Sequence, residues 1–289
     1  MRSSRCHRLP LVGCMLALAC SLVMSGCSGS GESQTLTVAG STTVLPIAEM
    51  AAEGYEQQTG TKVLVSGLGS SAGIEAVTNG TADIATSSRE LTAAESEHEL
   101  VATVIAHDGI AVIVNPGNPV SGLTTDQLRD IYAGKITNWS EVGGPDLAIQ
   151  VVNRDEASGT REAFRTIVMG DAPFDRSAAV LPGTGQVRDV VSRTPGAIGY
   201  ISIGFVDSDY ATTSVRALAI DGVQATEDNV ETGAYPISRD LYFFTNGDPQ
   251  GQAYGYISYV LSDEMDQTIR DAGYIPAHKS SVAEGSDAR

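Results

Sequence analysis

Short apolar runs of strand length alternate along the chain with longer stretches whose apolar residues recur at helical spacing. Residues 36–38 read as a strand running into Gly40-Ser41-Thr42-Thr43, after which Val44, Leu45, Ile47, Ala48, Ala51, Ala52 and Tyr55 line one face of a helix. Thr42 or Thr43 suits its N-cap, and Pro46 is tolerated in a first turn, where a missing N–H costs nothing. The unit repeats: residues 62–65 predict a strand, 67–73 a small polar loop, and a helix follows from Ile74 until Asn79-Gly80. A third short strand, 83–86, ends at Ser87-Ser88-Arg89. Further strands are predicted over 101–106, 109–115, 149–152, 197–201 and 241–244, and helices over 125–133, 186–192, 253–261 and 264–271. This repetition of strand, polar loop and helix is the pattern of an open α/β sheet, whose ligands gather at the carboxyl ends of the strands.

Those strand ends carry the candidate chemistry. Ser41, Thr42 and Thr43 follow the first strand, Ser70 and Ser71 the second, Ser88 and Arg89 the third, and Arg154, Ser158, Gly159 and Thr160 the strand at 149–152. In the last of these, Phe164, Ile167 and Val168 keep helical spacing, so Ser158-Gly159-Thr160 opens a helix whose first N–H groups have no intrahelical partner. Partial positive charge at that end, a glycine that lets a ligand approach, and the forked donors of Arg154 and Arg161 together make an anion cradle. An isolated S-G-T would be no more than a helix cap beside two surface arginines. Four such loops at four strand ends predict one shared oxyanion site.

Residues 1–27 stand outside this pattern. Arg2, Arg5 and Arg8 precede an apolar stretch from Leu9 to Met24, and Ser25-Gly26-Cys27 closes it, as in a secretory signal with a lipobox at Cys27. Leu11-Val12-Gly13-Cys14 has the same spelling but leaves almost no apolar stretch before the cut. A retained membrane span is the weaker reading, because Pro10, Gly13 and Ser21 interrupt a stretch already short of the ~20 residues a span needs. Residues 28–34 form a polar tether, and the last residues, 281–289, a polar tail. Processing removes Cys6, Cys14 and Cys20, so the exported domain folds without an internal disulfide or a cysteine metal site. Loss of Arg2, Arg5 and Arg8 takes the formal charge from −17 to −20, which argues against nucleic acid or an anionic membrane surface as partners. The same acidity repels an anion at long range, so an oxyanion site must rely on local arginines and hydrogen bonds.

An enzyme would need a nucleophile with its base, or a metal. His98, His107 and His278 show no metal-ligand spacing, Ser158 lacks the G-x-S-x-G spelling, and no catalytic residue, metal site or cofactor is predicted. His107, beside Asp108 at the start of an apolar strand, reads as a structural histidine. Trp139 reads as a packing anchor, Tyr254, Tyr256 and Tyr259 as helix packing, and Glu95, Glu97 and Glu99 as a solvated face.

Seven segments in order, over nearly the whole mature chain, resemble the substrate-binding lipoproteins of ABC-type phosphate transporters. They are Ala39-Gly40-Ser41-Thr42-Thr43, Gly69-Ser70-Ser71-Ala72-Gly73, residues 83–89, residues 131–139 with Ile136-Thr137-Asn138-Trp139, residues 154–160, residues 194–200, and Gly273-Tyr274-Ile275-Pro276. The resemblance implies the two-lobed fold of periplasmic binding proteins, each lobe an open α/β sheet, with two hinge crossings at 109–114 and 241–244. One lobe would combine residues 35–114 and 238–280, the other residues 115–237. It further implies a monomer, held to the membrane only through lipid on Cys27 at the outer face of the cytoplasmic membrane or in a periplasm. The monomer would bind inorganic phosphate and deliver it to the permease subunits. Thr42, the Thr43 amide, Ser70, Ser88, Arg89, Arg154, Ser158, Gly159 and Thr160 would touch the ligand, and Glu156 would orient Arg154. Some members have aspartate where this chain has Ser88, to accept the proton that phosphate keeps. Asp108 and Glu156 are the charged candidates to replace it, and sulfate binding or a secreted phosphatase remain the alternatives.

Overall fold

Residues 35–206 and 214–277 are described by the structure, a computed structural model. The predicted signal, the lipidation site Cys27, the tether at 28–34 and the tail at 281–289 lie outside the described residues.

The first half of the chain forms β1 (Thr35–Gly40), α1 (Leu45–Thr59), β2 (Lys62–Gly67), α2 (Ser70–Thr78), β3 (Ile84–Ser87), β4 (Leu100–Val114), β5 (Gly122–Leu123), α3 (Thr125–Tyr132) and β6 (Gln150–Arg154). Next come α4 (Gly159–Phe164), which runs on as one π-helical turn to Met169, β7 (Ala179–Leu181), α5 (Thr184–Arg193) and β8 (Ala197–Ser202). The remainder comprises β9 (Arg216–Ala217), β10 (Ala219–Ile220), α6 (Glu227–Glu231), β11 (Ser238–Asn246), α7 (Gly251–Val260), α8 (Asp263–Asp271) and β12 (Ile275–Pro276).

Local chemistry explains the ends of these elements. Gly60 stops α1 in a left-handed conformation (φ 72°) and returns its N–H to Glu56. Thr124 and Gln127 cap α3 reciprocally. The helix predicted from Ile74 begins a turn earlier, at Ser70, because a serine pair is as good a first turn as an apolar one. The strands predicted at 101–106 and 109–115 are one strand, β4, of 15 residues.

β4 organises the two lobes. The sheet order is β2-β1-β3-β11-β4-β8-β6-β7. β1, β2 and β3 are parallel, as are β6, β7 and β8, whereas β11 and β4 run antiparallel between them. Up to Gly109 the strand pairs with β11, and from Ile110 it pairs with β8. Its side chains change cores at the same point. Ile105 and Ala106 pack with Leu36, Ile47, Phe243 and Tyr256, whereas Ile110 to Val114 pack with Leu128, Tyr132, Trp139, Phe164 and Tyr200. The chain is thus two lobes with separate apolar cores, sharing a strand that passes from one to the other through His107, Asp108 and Gly109. Trp139 is the packing anchor expected: fully buried, with its indole N–H on the Gly196 carbonyl at 3.0 Å.

Candidate oxyanion site

The carboxyl ends of the parallel strands face each other across the lobes. On the first lobe, the turn after β1 is held by the Ser41 N–H on the Thr86 carbonyl (2.9 Å) and the Thr43 N–H on Ser41 Oγ (3.2 Å). Gly40 is required here, since its φ is +142° and a Cβ would lie 2.1 Å from the Thr86 carbonyl oxygen. Ser70 opens α2, accepts the Ser88 N–H at 3.1 Å and lies 3.4 Å from Ser88 Oγ. On the second lobe, β6 ends at Arg154 and Ser158 caps α4 by accepting the Arg161 N–H at 3.2 Å.

Three contacts, and a fourth from Arg154, knit the lobes at this point. Thr43 Oγ1 and Thr160 Oγ1 are 3.0 Å apart, Thr42 Oγ1 and Thr184 Oγ1 are 3.0 Å apart, and the Ser71 N–H donates to the Ala157 carbonyl at 3.2 Å. Arg154, 1% exposed, donates to Thr42 Oγ1 (3.2 Å), Thr184 Oγ1 (3.1 Å) and the carbonyls of Leu181 and Pro182. Burial lowers its pKa from the ordinary value, and Tyr200 and Asp155 oppose that shift. The like charge of Arg239 also lowers it. Ser41, Thr43, Ser70, Ser88, Ser158, Gly159, Thr160 and Thr184 are all buried. The cluster is therefore rich in hydroxyls that both donate and accept, backed by local positive charge.

Three expected participants behave differently. Arg89 spends its guanidinium on Glu95 (2.7 and 2.8 Å), the Glu90 carbonyl and Ser71 Oγ. Glu95 is therefore an ion-pair partner rather than part of a solvated face. Glu156 is exposed, and among the described residues no hydrogen bond or ion pair joins it to Arg154, because backbone carbonyls and threonines orient that arginine instead. Asp108 is fully buried, with one carboxylate oxygen accepting from Ser202 Oγ at 2.7 Å and the other from Arg239 at 2.8 and 3.0 Å. Neither carboxylate stands ready for a ligand's proton, whereas the hydroxyl oxygens of the cluster, Ser88 Oγ among them, have lone pairs to offer. Thr184 and Arg239 were not expected. Thr184 opens α5 without a motif around it, and Arg239 has its partner 131 residues away.

A groove of about 1110 Å³ lies apart from this cluster. Arg89, His107, Arg239 and Asp240 line it from the first lobe and Glu162 and Glu231 from the second, and none of the paired hydroxyls contributes to it. His107 Nδ1 meets Asp240 there at 2.6 Å, the structural pairing expected of it.

Residues 27–264 match the model of the PBP superfamily domain. The chain belongs to the PBP superfamily. Within the superfamily it is similar to the phosphate-binding protein PstS of Bacillus subtilis, 32% identical over 300 residues that cover 96% of this chain and 98% of that one. The phosphate-binding protein PstS of Borreliella burgdorferi is 29% identical, covering 88% and 94%. A solved structure from Clostridium perfringens with phosphate bound, assigned to the phosphate ABC transporter substrate-binding proteins, superposes with a TM-score of 0.80 at 36% identity, over 84% of this chain and all of that one. An ABC-type phosphate transport receptor from Vibrio cholerae gives 0.70 at 38% identity, with the same coverage. The similarity to substrate-binding proteins thus spans both lobes. Among the described residues no helix is long and apolar enough to cross a membrane.

Proposed function

We propose that the chain binds inorganic phosphate between its lobes and hands it to the permease of an ABC transporter for import, without turning it over. The observation that carries this reading is Arg154, buried at the junction and bonded to hydroxyls of both lobes, Thr42 and Thr184. Relatives named for phosphate binding, and a related structure holding phosphate, support the choice of ligand. Going by the division of the apolar cores, lobe 1 comprises residues 35–109 with 238–280 and lobe 2 residues 110–237, five residues short of the boundary expected at 114. The return crossing falls just before Ser238 rather than at 241–244, whose side chains pack in the first lobe. Thr42, Thr43, Ser70, Ser88, Arg154, Ser158, Gly159, Thr160 and Thr184 surround the anion. They supply charge-assisted hydrogen bonds in a water-poor site, where each counts for more than in solvent.

The protein works as an exported monomer carried on a lipid at Cys27. Cys27→Ala should release it from the membrane fraction or leave its signal uncut, and a variant still lipidated normally would identify another cysteine as the anchor.

Phosphate near neutral pH keeps a proton that sulfate lacks. A donor-only site would therefore favour sulfate, by the ~1–3 kcal/mol that an unsatisfied buried O–H costs. Ser88 Oγ, with lone pairs to offer, tips the site to phosphate. Calorimetric titration with phosphate and with sulfate tests the whole reading. Tight phosphate binding and weak sulfate binding are expected, and equal affinities would recast the protein as a general binder of tetrahedral oxyanions.

A further inference from the structure

The buried ion pair of Asp108 and Arg239 has no role in the ligand contacts proposed above, yet it sits where β4 changes partners. Gly109 still pairs with Ser238 of β11, and Ile110 already pairs with Ser202 of β8. Asp108 is fully buried at that exchange, and the Arg239 side chain is 4% exposed. Arg239 gives Asp108 Oδ2 two N–H groups, from Nε at 3.0 Å and Nη2 at 2.8 Å. Ser202 of the second lobe donates to Asp108 Oδ1 at 2.7 Å. The remaining nitrogen, Nη1, donates to the backbone carbonyl of Ser88 at 3.2 Å.

Ser88 is consequently held from both sides, its N–H by Ser70 Oγ at 3.1 Å and its carbonyl by Arg239. A forked, planar guanidinium can serve a carboxylate and a carbonyl at once, which the point charge of a lysine matches poorly. A buried ion pair is weak evidence for stability, since apolar replacements often do as well, so its presence at this crossing asks for another account. We infer that Arg239 is a positioning residue, and that the chain Ser202–Asp108–Arg239–Ser88 ties the lobe crossing to the hydroxyl that accepts phosphate's proton. The inference rests on the phosphate-binding reading. It assigns the clasp a definite effect: with Ser88 fixed in advance, less ordering remains to be done when the ligand binds.

Breaking one partner alone would strand a buried charge, so the informative variant removes both, Asp108→Asn with Arg239→Gln. Arg239→Lys, which keeps the charge, covers the case in which the double variant fails to fold. Each is made with Ser88 intact and again with Ser88→Ala, and phosphate dissociation constants are measured by calorimetry on protein checked for a single thermal transition. If the clasp acts through Ser88, the losses are not additive: about tenfold weaker binding with Ser88 present, and less than about twofold further loss once Ser88 is alanine. Sulfate binding, which needs no proton acceptor, should change little in either background. Equal losses in both backgrounds, or no loss in either, would overturn the inference while leaving phosphate binding standing. Wild-type protein that bound no phosphate would instead bring down the functional reading, and the inference with it.

Discussion

What surrounds Arg154 sets it apart from the ion-paired arginines among the described residues. Arg89, Arg165 and Arg239 each have a carboxylate partner, whereas the hydrogen bonds of the Arg154 side chain go to two threonine hydroxyls and two backbone carbonyls. A buried cation held by neutral acceptors keeps its charge for an anion. Arg154→Ala should weaken phosphate binding by roughly two orders of magnitude or more, given ~1.5–3 kcal/mol for each charge-assisted bond. Titration of a folded variant that binds like wild type would remove Arg154 from the site. Glu156→Gln is the matched control: exposed and unconnected to Arg154, it should leave the affinity within about twofold. His107 makes a separate, pH-dependent contribution. Its hydrogen bond to Asp240 raises its pKa above the ordinary 6.5, burial opposes this, and the charges of Asp240 and Glu231 reinforce it. A raised folded pKa means that the stabilisation is fully present below about pH 6.5 and fades as pH rises through the folded value. Urea midpoints measured across that range should fall more steeply for wild type than for His107→Gln, and parallel curves would contradict the pairing. Half-exposed as both side chains are, the effect should be modest.

At the scale of elements, the site depends on helix starts brought nearly into contact. A Cβ on Gly159 would lie 2.2 Å from Ser70 Oγ and 2.8 Å from both Ser70 Cβ and Ser88 Oγ, all on the opposite lobe. Gly159→Ala must therefore hold the lobes apart or displace both serines. At the ~1–3 kcal/mol typical of overpacking, phosphate affinity should drop roughly ten- to a hundredfold. Because Gly159 is the first residue of α4 and alanine is the better helix former, the helix itself should not suffer. Calorimetry alongside circular dichroism separates the two effects, and unchanged affinity would mean that the lobes do not approach this closely when phosphate is bound. The elements that present these residues were legible because each is locally marked: an apolar run, a glycine or serine turn, then helical spacing. β7 was not, since Ala179 and Val180 are exposed and three residues leave no period to detect. The unity of β4 was hidden by His107 and Asp108, which look like a break until Asp240 and Arg239 are seen to satisfy them. Arg239 and Thr184 escaped for the same reason. Their roles lie in pairings across 131 and 142 residues, and no window along the chain contains both partners.

The whole molecule sets the conditions under which an anion arrives. Its formal charge is −17, and residues 1–27 contribute three arginines against no acidic residue, so the remainder is more acidic still. A phosphate ion approaching from a distance meets net repulsion, and only inside the site does it meet Arg154 and the hydroxyls. The two influences differ in range. Repulsion among exposed charges is screened over a Debye length of ~10 Å at 0.1 M salt, whereas hydrogen bonds within a buried site are screened far less. Adding salt should therefore lower the barrier to encounter and leave the bound complex almost untouched. Stopped-flow measurement of phosphate association in increasing sodium chloride, up to about 0.15 M, should give an association rate that rises by a small factor with a nearly constant dissociation rate. The sign is the informative part, because proteins that steer their ligand electrostatically show the reverse. An association rate that fell with salt would mean that the guanidinium groups of Arg154 and Arg239 project an attractive field beyond the lobes, strong enough to overcome the acidic surface around them.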